Sequence, residues 1–233
     1  MNTPIIKPII ECCNLSKTFQ VRKNKIPVLE NITFSVAPGE VVVIRGRSGA
    51  GKSVLNWLLS GLDHPDSGEI IFKGESLKRM SNSKLAELRA NHIGIIFQNF
   101  NLIASWTAME NATSSMEQKG LSRTEIQNQA TAIISKLGLA DRADNLPSEL
   151  SMGQQQRIAV ARTIAAEPEL ILADEPTGDV DPETAEEIIE LLLSEVKRRN
   201  ATLIITTHGH FPCRYADRVF VLENRRLSQY PTD

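Results

Sequence analysis

The chain has 233 residues, enough for one large domain with its own core or for one domain with an inserted lobe. Hydrophobic residues make up 41% and charged residues 23%, which excludes a disordered, collagenous or disulfide-dense chain. The formal net charge of -2 gives no global positive field, so we expect no nucleic-acid partner.

The sequence also carries no signal for insertion into a membrane or for export across one. No window approaches the roughly 18 uninterrupted apolar residues of a membrane span, and residues 1–8 are too short and too broken by proline for a signal peptide. The cysteines Cys12, Cys13 and Cys213 follow no metal-ligand spacing and suit free thiols in a reducing cytosol. We therefore expect a cytoplasmic protein that reaches a membrane only through a partner.

Short apolar runs that end in polar or glycine-rich turns recur along the chain, with helical patterns between them. Runs of this kind are typical of buried parallel strands in an α/β sheet, and they occupy residues 40–44, 93–97, 170–173 and 202–205. Three further segments alternate more and lie beside turn residues, which is typical of an antiparallel side sheet; they are residues 32–36, 69–73 and 218–222.

The strand signal disappears between residues 99 and 150, where residues 124–137 repeat apolar side chains at helical spacing. A second helix is predicted from Asp181 and Pro182, an acidic N-cap followed by proline at the first helical position. It ends in the basic run Lys197-Arg198-Arg199, which we interpret as a solvated helix end. We expect one domain over residues 1–233, with a helical lobe at 99–150 inserted between core segments 1–98 and 151–233.

The clearest chemical motif is Gly46-Arg47-Ser48-Gly49-Ala50-Gly51-Lys52-Ser53, between an apolar run and the apolar pattern of residues 54–59. Its glycines let consecutive backbone N–H groups point at phosphate oxygens, Lys52 reaches the β- and γ-phosphates, and the Ser53 hydroxyl can ligate Mg²⁺. A glycine-rich turn that happens to contain Lys-Ser is the alternative, which the strand-loop-helix context disfavours. The motif therefore predicts a bound nucleoside triphosphate.

Two carboxylates, Asp174 and Glu175, follow the apolar run of residues 170–173. The carboxyl ends of parallel strands are where open α/β sheets bind ligands. We expect Asp174 to hold Mg²⁺, because the residue that ends the strand lies beside the phosphate loop. Glu175 would then orient the attacking water or accept its proton. Either acid alone could merely solvate a strand end.

With these two motifs the chain resembles the nucleotide-binding subunit of ABC transporters over nearly its full length. Further motifs of that family occur in the family's order. They are Gln98 after the 93–97 run, the signature motif Leu150-Ser151-Met152-Gly153-Gln154 at residues 150–154, the loop Asp179-Val180-Asp181, His208 after the 202–205 run, and Phe19. The resemblance implies an α/β fold with a RecA-like P-loop NTPase core, an antiparallel β side sheet and an inserted α-helical subdomain.

The resemblance also implies an Mg²⁺-dependent ATPase and assigns roles to these residues. Phe19 would stack on adenine, Gln98 would reach the metal and the attacking water, and His208 would contact the γ-phosphate. Two chains of the family pack head to tail, so ATP would lie between the Lys52 loop of one chain and Ser151 of a second copy. A hydroxyl at the positive end of a helix suits a γ-phosphate. The contacts across that interface would come from Ser151, Gly153, Gln154 and Asp181.

The family further implies a transmembrane permease subunit on a separate chain, sensed through Gln98, and a peripheral location on the inner face of the cell membrane. Residues 61–70 and 172–179 are similar to the subgroup that contains the lipoprotein-release, macrolide-efflux and cell-division ATPases. That subgroup drives membrane proteins with large extracytoplasmic domains, often without carrying a substrate through the bilayer. Two functions stay open: driving a transporter, or regulating a membrane or cell-envelope complex without transport.

Each of these residues also has a plainer interpretation. Phe19 could be a core aromatic, and Asp181 could serve only as a helix N-cap. Gln98 and His208, taken singly, could be ordinary polar residues at loop ends. Apolar residues after Gln98 fit a partner contact and packing of the lobe about equally well; they are Phe100, Leu102, Ile103 and Trp106.

Other functional classes fit the sequence less well. A P-loop kinase would not need the Ser151 motif, and an ABC ATPase of DNA maintenance would need long coiled-coil arms. A catalytically silent regulatory subunit stays open and is separated by an ATPase assay. Two departures from the family pattern predict altered affinity or rate rather than lost activity; they are Met152, in place of a signature glycine, and Gly209, where an acid commonly follows the histidine.

Overall fold

The computed structural model of the chain describes residues 7–178, 180–208 and 215–230. Within them the strands form two sheets, one of four strands and one of six. In chain order the strands are β1 (Ile10–Val21), β2 (Asn24–Val36), β3 (Val41–Arg45), β4 (Ser67–Phe72), β5 (Glu75–Ser76), β6 (Ile93–Ile96), β7 (Leu170–Asp174), β8 (Thr202–Thr207), β9 (Arg218–Glu223) and β10 (Arg226–Gln229). Three residues named above, Asp179, Gly209 and Cys213, lie outside the described ranges.

The helices lie between these strands. In chain order the α-helices are α1 (Lys52–Leu59), α2 (Asn82–Asn91), α3 (Ala108–Thr113), α4 (Arg123–Lys136), α5 (Met152–Ala165) and α6 (Pro182–Arg199). The helix predicted over residues 124–137 is confirmed as α4, and the one predicted from Asp181 and Pro182 is confirmed as α6. In the described ranges, no helix combines the length and the apolar character needed to cross a bilayer.

The six-stranded sheet has the order β10-β9-β3-β8-β7-β6 and is parallel except at β10. In its register, Thr206 of β8 lies opposite Ile44 of β3 on one side and Asp174 of β7 on the other. The carboxyl ends of these three strands therefore lie side by side. The segments that leave them emerge at the same edge of the sheet, which is where parallel α/β sheets bind ligands.

Apolar side chains cover both faces of this sheet. Ile44 of β3 packs in a cluster with Leu55 of α1, whereas its neighbour Val43 packs in a second cluster with Ile188 of α6. A strand buried on both faces gains stability from every apolar residue rather than from alternate ones. This burial explains the uninterrupted apolar runs, and the strands predicted at residues 40–44, 93–97, 170–173 and 202–205 are confirmed as β3, β6, β7 and β8.

The assignment of residues 218–222 to the antiparallel side sheet is wrong. These residues form β9, which pairs parallel to β3 in the six-stranded sheet. Val219 and Phe220 are both buried, in clusters on opposite faces of that sheet. After Arg218 the segment is an uninterrupted apolar run, which is typical of a strand covered on both faces and not of an alternating side-sheet strand.

The antiparallel side sheet has the order β2-β1-β4-β5. Residues 32–36 and 69–73, predicted for this sheet, lie in or directly beside β2 and β4. The sequence patterns did not predict β1, which pairs with both of those strands. Its register shifts between Cys12 and Leu15 and again between Leu15 and Lys17. Each such bulge interrupts the two-residue alternation that marks a strand in a sequence.

Between β6 and β7 the described chain contains helices, joined by turns and irregular segments, and no strand. Helices α3, α4 and α5 enclose a small core that includes Ala112, Ile134 and Ile158. Capping boxes begin both α3 and α4, with a hydroxyl residue at the N-cap and a glutamate three positions later. Helix α5 contacts this lobe with one side and the six-stranded sheet with another.

Candidate active site

The loop between β3 and α1 wraps around the amine of Lys52. The Nζ atom of Lys52 donates to the backbone oxygens of Gly46 at 2.9 Å and Arg47 at 3.2 Å. Gly51, the N-cap of α1, has φ 104° and so adopts a backbone conformation that glycine tolerates best. A Cβ atom at Gly51 would lie 2.8 Å from Cγ1 of Val28, so this glycine also lets the hairpin of β1 and β2 approach the loop.

Lys52, Glu175 and His208 meet at the carboxyl edge of the six-stranded sheet, where the first two side chains are buried and that of His208 is exposed. Oε1 of Glu175 lies 3.2 Å from Nζ of Lys52 and 2.8 Å from Nδ1 of His208. The backbone N–H of His208 donates to Oε2 of Glu175 at 3.1 Å. Glu175 has φ 47°, an unusual value for a residue with a Cβ atom. The fold thus brings together three of the residues predicted from separate motifs.

Two opposing effects act on the pKa of Glu175. Burial raises the pKa, but hydrogen bonds from the side chain and backbone of His208, and then from Lys52, outweigh it and leave the pKa below its ordinary value. The carboxyl group is therefore ionised at neutral pH. An ionised carboxylate can accept a hydrogen bond from a water molecule, which a general base requires.

Asp174 lies beside this cluster, at the end of β7, and its side chain is held by Thr206 of β8. The Thr206 hydroxyl donates to Oδ1 of Asp174 at 2.6 Å and accepts from Nδ2 of Asn56 at 2.8 Å. All three side chains are buried. Sequence reasoning missed Thr206 and Asn56, although the polar Asn56 in the apolar pattern of residues 54–59 was a usable signal.

Ser53 and Gln98 lie at the ends of elements that border this site. Ser53 is the second residue of α1, directly after Lys52. Gln98 is exposed and follows β6, the strand next to β7. These side chains and Asp174 offer hydroxyl, amide and carboxylate oxygens, which are the ligands that Mg²⁺ prefers. The residues present therefore fit this ion.

Phe19 lies on the hairpin that contacts the phosphate loop. It is paired in register with Ile26, two residues before Val28, and its side chain is half-buried. The ammonium group of Lys17 lies 5.2 Å from the centre of its ring. That lysine also binds Asp63 and the backbone oxygen of His64, in the turn after α1. The hairpin is thereby fixed at both ends of the helix that carries Lys52.

The signature residues begin α5 and already have partners within their own chain. Ser151 and Gln154 form a capping box: Ser151 Oγ accepts from the Gln154 N–H, and the Gln154 side chain accepts from the Ser151 N–H. A Cβ atom at Gly153 would lie 3.2 Å from Cγ2 of Thr184 in α6, so glycine lets the two helices pack closely. Met152 is 52% exposed.

Asp181 caps α6, since its Oδ1 accepts from the N–H of Thr184 at 3.0 Å. That backbone hydrogen bond is the largest influence on the pKa of Asp181 and lowers it. Within the described residues, no hydrogen bond or ion pair joins Ser151 or Asp181 to the Lys52 loop. One chain therefore contains two separate groups of predicted site residues.

Two further contacts of α5 were not predicted from the sequence. The buried Gln156 donates through Nε2 to the backbone oxygen of Pro176, next to Glu175. Arg162 donates to the backbone oxygens of Phe100 and Asn101, in the segment after Gln98. Both contacts join residues far apart in the chain, and no local pattern announces them.

A glycine-rich loop around a lysine, followed by a helix and faced by an acidic strand end, defines a P-loop nucleoside triphosphatase. Residues 29–178 match the protein family described as ABC transporter. The chain belongs to this family, and it is an ATP-binding and ATP-hydrolysing subunit of an ABC transporter.

Its relatives include ATP-binding proteins with different assignments. An uncharacterized ABC transporter ATP-binding protein of Mycobacterium tuberculosis is 39% identical over 95% of this chain and 89% of its own length. The methionine import ATP-binding protein MetN of Corynebacterium diphtheriae is 40% identical over 95% of this chain and 65% of its own length. The lipoprotein-releasing system ATP-binding protein LolD of Coxiella burnetii is 38% identical over 94% of this chain and 95% of its own length.

The fold is that of a solved ATP-binding cassette. The cassette MJ0796, solved as a dimer in a post-hydrolysis state bound to ADP and Pi, superposes with a TM-score of 0.89 and 31% sequence identity. The match covers 96% of this chain and 100% of the cassette. The expected α/β P-loop fold is therefore confirmed.

Proposed function

We propose that two copies of this chain pack head to tail around ATP and drive a separate membrane-spanning partner. The observation that carries this proposal is the separation of the site residues within one chain. Lys52, Glu175 and His208 meet at the carboxyl edge of the sheet, whereas among the described residues no hydrogen bond or ion pair joins Ser151 to any of the three. A complete site then needs a second copy. The dimeric cassette bound to ADP and Pi supports this pairing.

Within one chain, the residues have distinct tasks in hydrolysis. Lys52 exchanges its bonds to backbone oxygens and Glu175 for bonds to the β- and γ-phosphates and neutralises their charge. Glu175, ionised at neutral pH, orients the attacking water and accepts its proton as the γ-phosphoryl group is transferred to that water. His208 holds the Glu175 carboxylate and faces the same phosphate. Phe19 stacks on adenine from the adjacent hairpin.

Mg²⁺ would be held by Ser53, Asp174 and Gln98. When bound, the ion neutralises charge on the transferred and leaving phosphates. Thr206 keeps the Asp174 carboxylate in one orientation through the hydrogen bond of 2.6 Å. This charge-assisted bond fixes the carboxylate in place, which suits Mg²⁺ because that ion requires a near-ideal octahedral arrangement of its ligands.

The second copy supplies the remaining contacts. The Ser151 hydroxyl accepts one hydrogen bond within its own helix and keeps its O–H to donate to a γ-phosphate oxygen across the interface. Gly153 and Gln154 lie in the same first turn, where the helix dipole favours an anion. Asp181 approaches from α6. The exposed Met152 lies beside them and sets how closely the copies approach.

The membrane-spanning partner binds at the segment after Gln98, which places this chain in the cytoplasm on the inner face of the cell membrane. Gln98 is exposed, and Ile103 is an apolar residue that is 40% exposed. Two observations support membership of the lipoprotein-release subgroup. One is the similarity to the lipoprotein-releasing relative, and the other is the sequence of residues 61–70 and 172–179. In that subgroup ATP hydrolysis drives a membrane complex, with or without transport of a substrate through the bilayer.

A mixing experiment tests the composite site. Lys52→Ala and Ser151→Ala chains should each be inactive alone, because every dimer of either variant lacks a group in both of its sites. In an equal mixture half of the dimers are mixed and carry one intact site, so about a quarter of the wild-type rate should return. Mixing Lys52→Ala with the Lys52→Ala, Ser151→Ala double variant is the matched control and should restore nothing.

A complementary variant separates the capping role of Ser151 from its role across the interface. Ser151→Asp keeps an N-cap acceptor, so the folded chain should be as stable as wild type. It removes the hydroxyl donor and places a negative charge where a γ-phosphate would lie, so ATP hydrolysis should be lost. If the Lys52→Ala and Ser151→Ala mixture stays inactive although pairing is demonstrated, the composite site is refuted.

A further inference from the structure

Helix α5 forms hydrogen bonds to the chain both before and after Gln98. Before Gln98, the hydroxyl of Thr163 lies 3.1 Å from the backbone oxygen of Ile95 and 3.0 Å from that of Ala159 in its own helix, so the two oxygens share its one proton. After Gln98, Arg162 donates through Nη1 to the backbone oxygen of Asn101 at 2.6 Å and through Nη2 to that of Phe100 at 2.7 Å. Two neighbouring residues of one helix therefore fix the two ends of the same loop.

The backbone bound by Arg162 has an unusual conformation. Phe100 has φ 59° and Asn101 has φ 48°, both in the left-handed region. Asparagine tolerates this region, but a bulky aromatic residue such as Phe100 avoids it. One planar guanidinium group bonded to two successive carbonyl oxygens offsets that preference. Without it, we expect the segment to relax to a right-handed or extended backbone.

Arg162 itself is held in a partly apolar environment. Burial lowers the pKa of its guanidinium group. Among the described residues no carboxylate lies within ion-pair distance of it, so the two backbone oxygens are its principal partners. The Ser115 hydroxyl, just after α3, donates to the backbone oxygen of Arg162. These contacts leave Arg162 few alternative positions.

The segment has room to move if this clamp opens. A cleft of about 300 Å³ lies between β6 and the helical lobe, and Phe97, Ser115 and Arg162 are among its lining residues. The cleft leaves space beside the segment, so we expect Arg162 to restrict the positions that Gln98 can take.

We propose that Arg162 is a positioning residue that couples the Gln98 segment to the signature motif. Ser151 caps α5, and Arg162 lies about 16 Å further along the same helix at its rise of 1.5 Å per residue. One rigid helix therefore connects Gln98, in the ATP site of its own chain, to Ser151, in the site shared with the partner. This inference rests on the proposed function, because it uses the roles given there to Gln98 and Ser151.

A double-mutant cycle tests whether Arg162 acts through Gln98. We expect Arg162→Gln and Gln98→Ala each to lower kcat about tenfold, since a small displacement of a catalytic group is costly. The ATP concentration at half-saturation should change less than about twofold, because the Lys52 loop is intact. The double variant should be no slower than Gln98→Ala alone, since a displaced Gln98 and a missing one are equivalent.

Arg89 provides a matched control. It is also a partly buried arginine that donates to a backbone oxygen, that of Gly61, and it lines the same cleft from α2. Among the described residues no hydrogen bond joins it to the Gln98 segment. Any loss of kcat in Arg89→Gln should multiply with that of Gln98→Ala, as for independent sites. If Arg162→Gln lowered kcat only by destabilising the fold, its loss would also multiply with that of Gln98→Ala.

Arg162→Lys keeps the test available if Arg162→Gln does not fold. Lysine retains the charge and the stem but cannot present two parallel donors. Its kcat should lie between those of wild type and Arg162→Gln, and it too should show no further loss with Gln98→Ala.

Two results would overturn the inference: multiplicative losses in the double variant, or unchanged kcat in Gln98→Ala or Arg162→Lys. The mixing experiment with Lys52→Ala and Ser151→Ala is independent of both. Its success together with multiplicative losses would leave the proposed function standing and remove only the role of Arg162.

Discussion

Replacing Thr206 by valine tests the buried polar cluster behind the phosphate loop. Valine has nearly the same shape as threonine, so the packing of β8 is kept and only the hydroxyl is lost. That hydroxyl donates to Oδ1 of Asp174 at 2.6 Å and accepts from Nδ2 of Asn56 at 2.8 Å, and Thr206 is 0% exposed. Water cannot replace either bond without opening the core.

The expected cost follows from these two bonds. A hydrogen bond to a charged group contributes about 1.5–3 kcal/mol, and a buried donor left without an acceptor costs about 1–3 kcal/mol. Because both bonds share one hydroxyl, the sum is an upper bound, and we expect Thr206→Val to lower the free energy of unfolding by about 3 kcal/mol. Asp174 also loses the donor that fixes its orientation, so the Mg²⁺ concentration at half-maximal ATPase activity should rise.

Denaturant unfolding in the presence of a chelator measures the first effect, and a Mg²⁺ titration of ATPase activity measures the second. Thr202→Val is the matched control on the same strand. Thr202 is equally buried, but its hydroxyl binds only uncharged backbone groups: it accepts from the N–H of Gly39 at 3.0 Å and donates weakly to the oxygen of Ala37 at 3.4 Å. We therefore expect a loss of about 1 kcal/mol and no change in Mg²⁺ dependence. Equal losses of stability in the two variants would refute this reasoning.

The remaining predictions concern Gly51 and Glu175. Gly51→Ala places a Cβ atom 2.8 Å from Val28 on a backbone with φ 104°. Its control is Gly74→Ala, where φ is 85° and a Cβ atom would meet nothing within 4 Å. Gly51→Ala should lower the free energy of unfolding by about 1 kcal/mol more than the control, and equal losses in denaturant unfolding would contradict the predicted clash. Although burial raises it, hydrogen bonds from His208 and Lys52 hold the pKa of Glu175 below its ordinary 4.5. Its stabilising contribution is complete above the unfolded pKa and is lost as the pH falls through the folded pKa, so Glu175→Gln should lose less stability than wild type on acidification below about pH 4.5.

The central strands could be predicted from the sequence, and the hairpin strand β1 could not. Strands covered on both faces, such as β7 and β8, have uninterrupted apolar runs that stand out from their surroundings. The pattern of β1 is broken by bulges next to Leu15 and Lys17, and the polar residues there bind across the fold. β9 was recognised as a strand but placed in the wrong sheet, because a pattern of burial does not name the partner strand.

The site divides in the same way. Lys52, Glu175 and His208 each lie in a local motif. The shared edge of the parallel strands brings Nζ of Lys52 and Nδ1 of His208 within 3.2 Å of Glu175 Oε1. Thr206 and Arg162 have no such motif. Their function depends on partners far away in the sequence, Asn56 and the carbonyl groups after Gln98, so only the fold identifies them.

The signature motif illustrates why a role across an interface is hard to infer from the contacts of one chain. Ser151 and Gln154 are already explained by a capping box, Gly153 by its close approach to Thr184, and Asp181 by its cap on α6. Intrachain folding therefore accounts for these residue types without a partner. The exposed Met152 has no such intrachain role, and the O–H of Ser151 keeps a donor beyond its cap. Ser151→Asp is informative for this reason. Its carboxylate can still cap α5 within the chain, but it cannot donate a hydrogen bond to a γ-phosphate held between two copies.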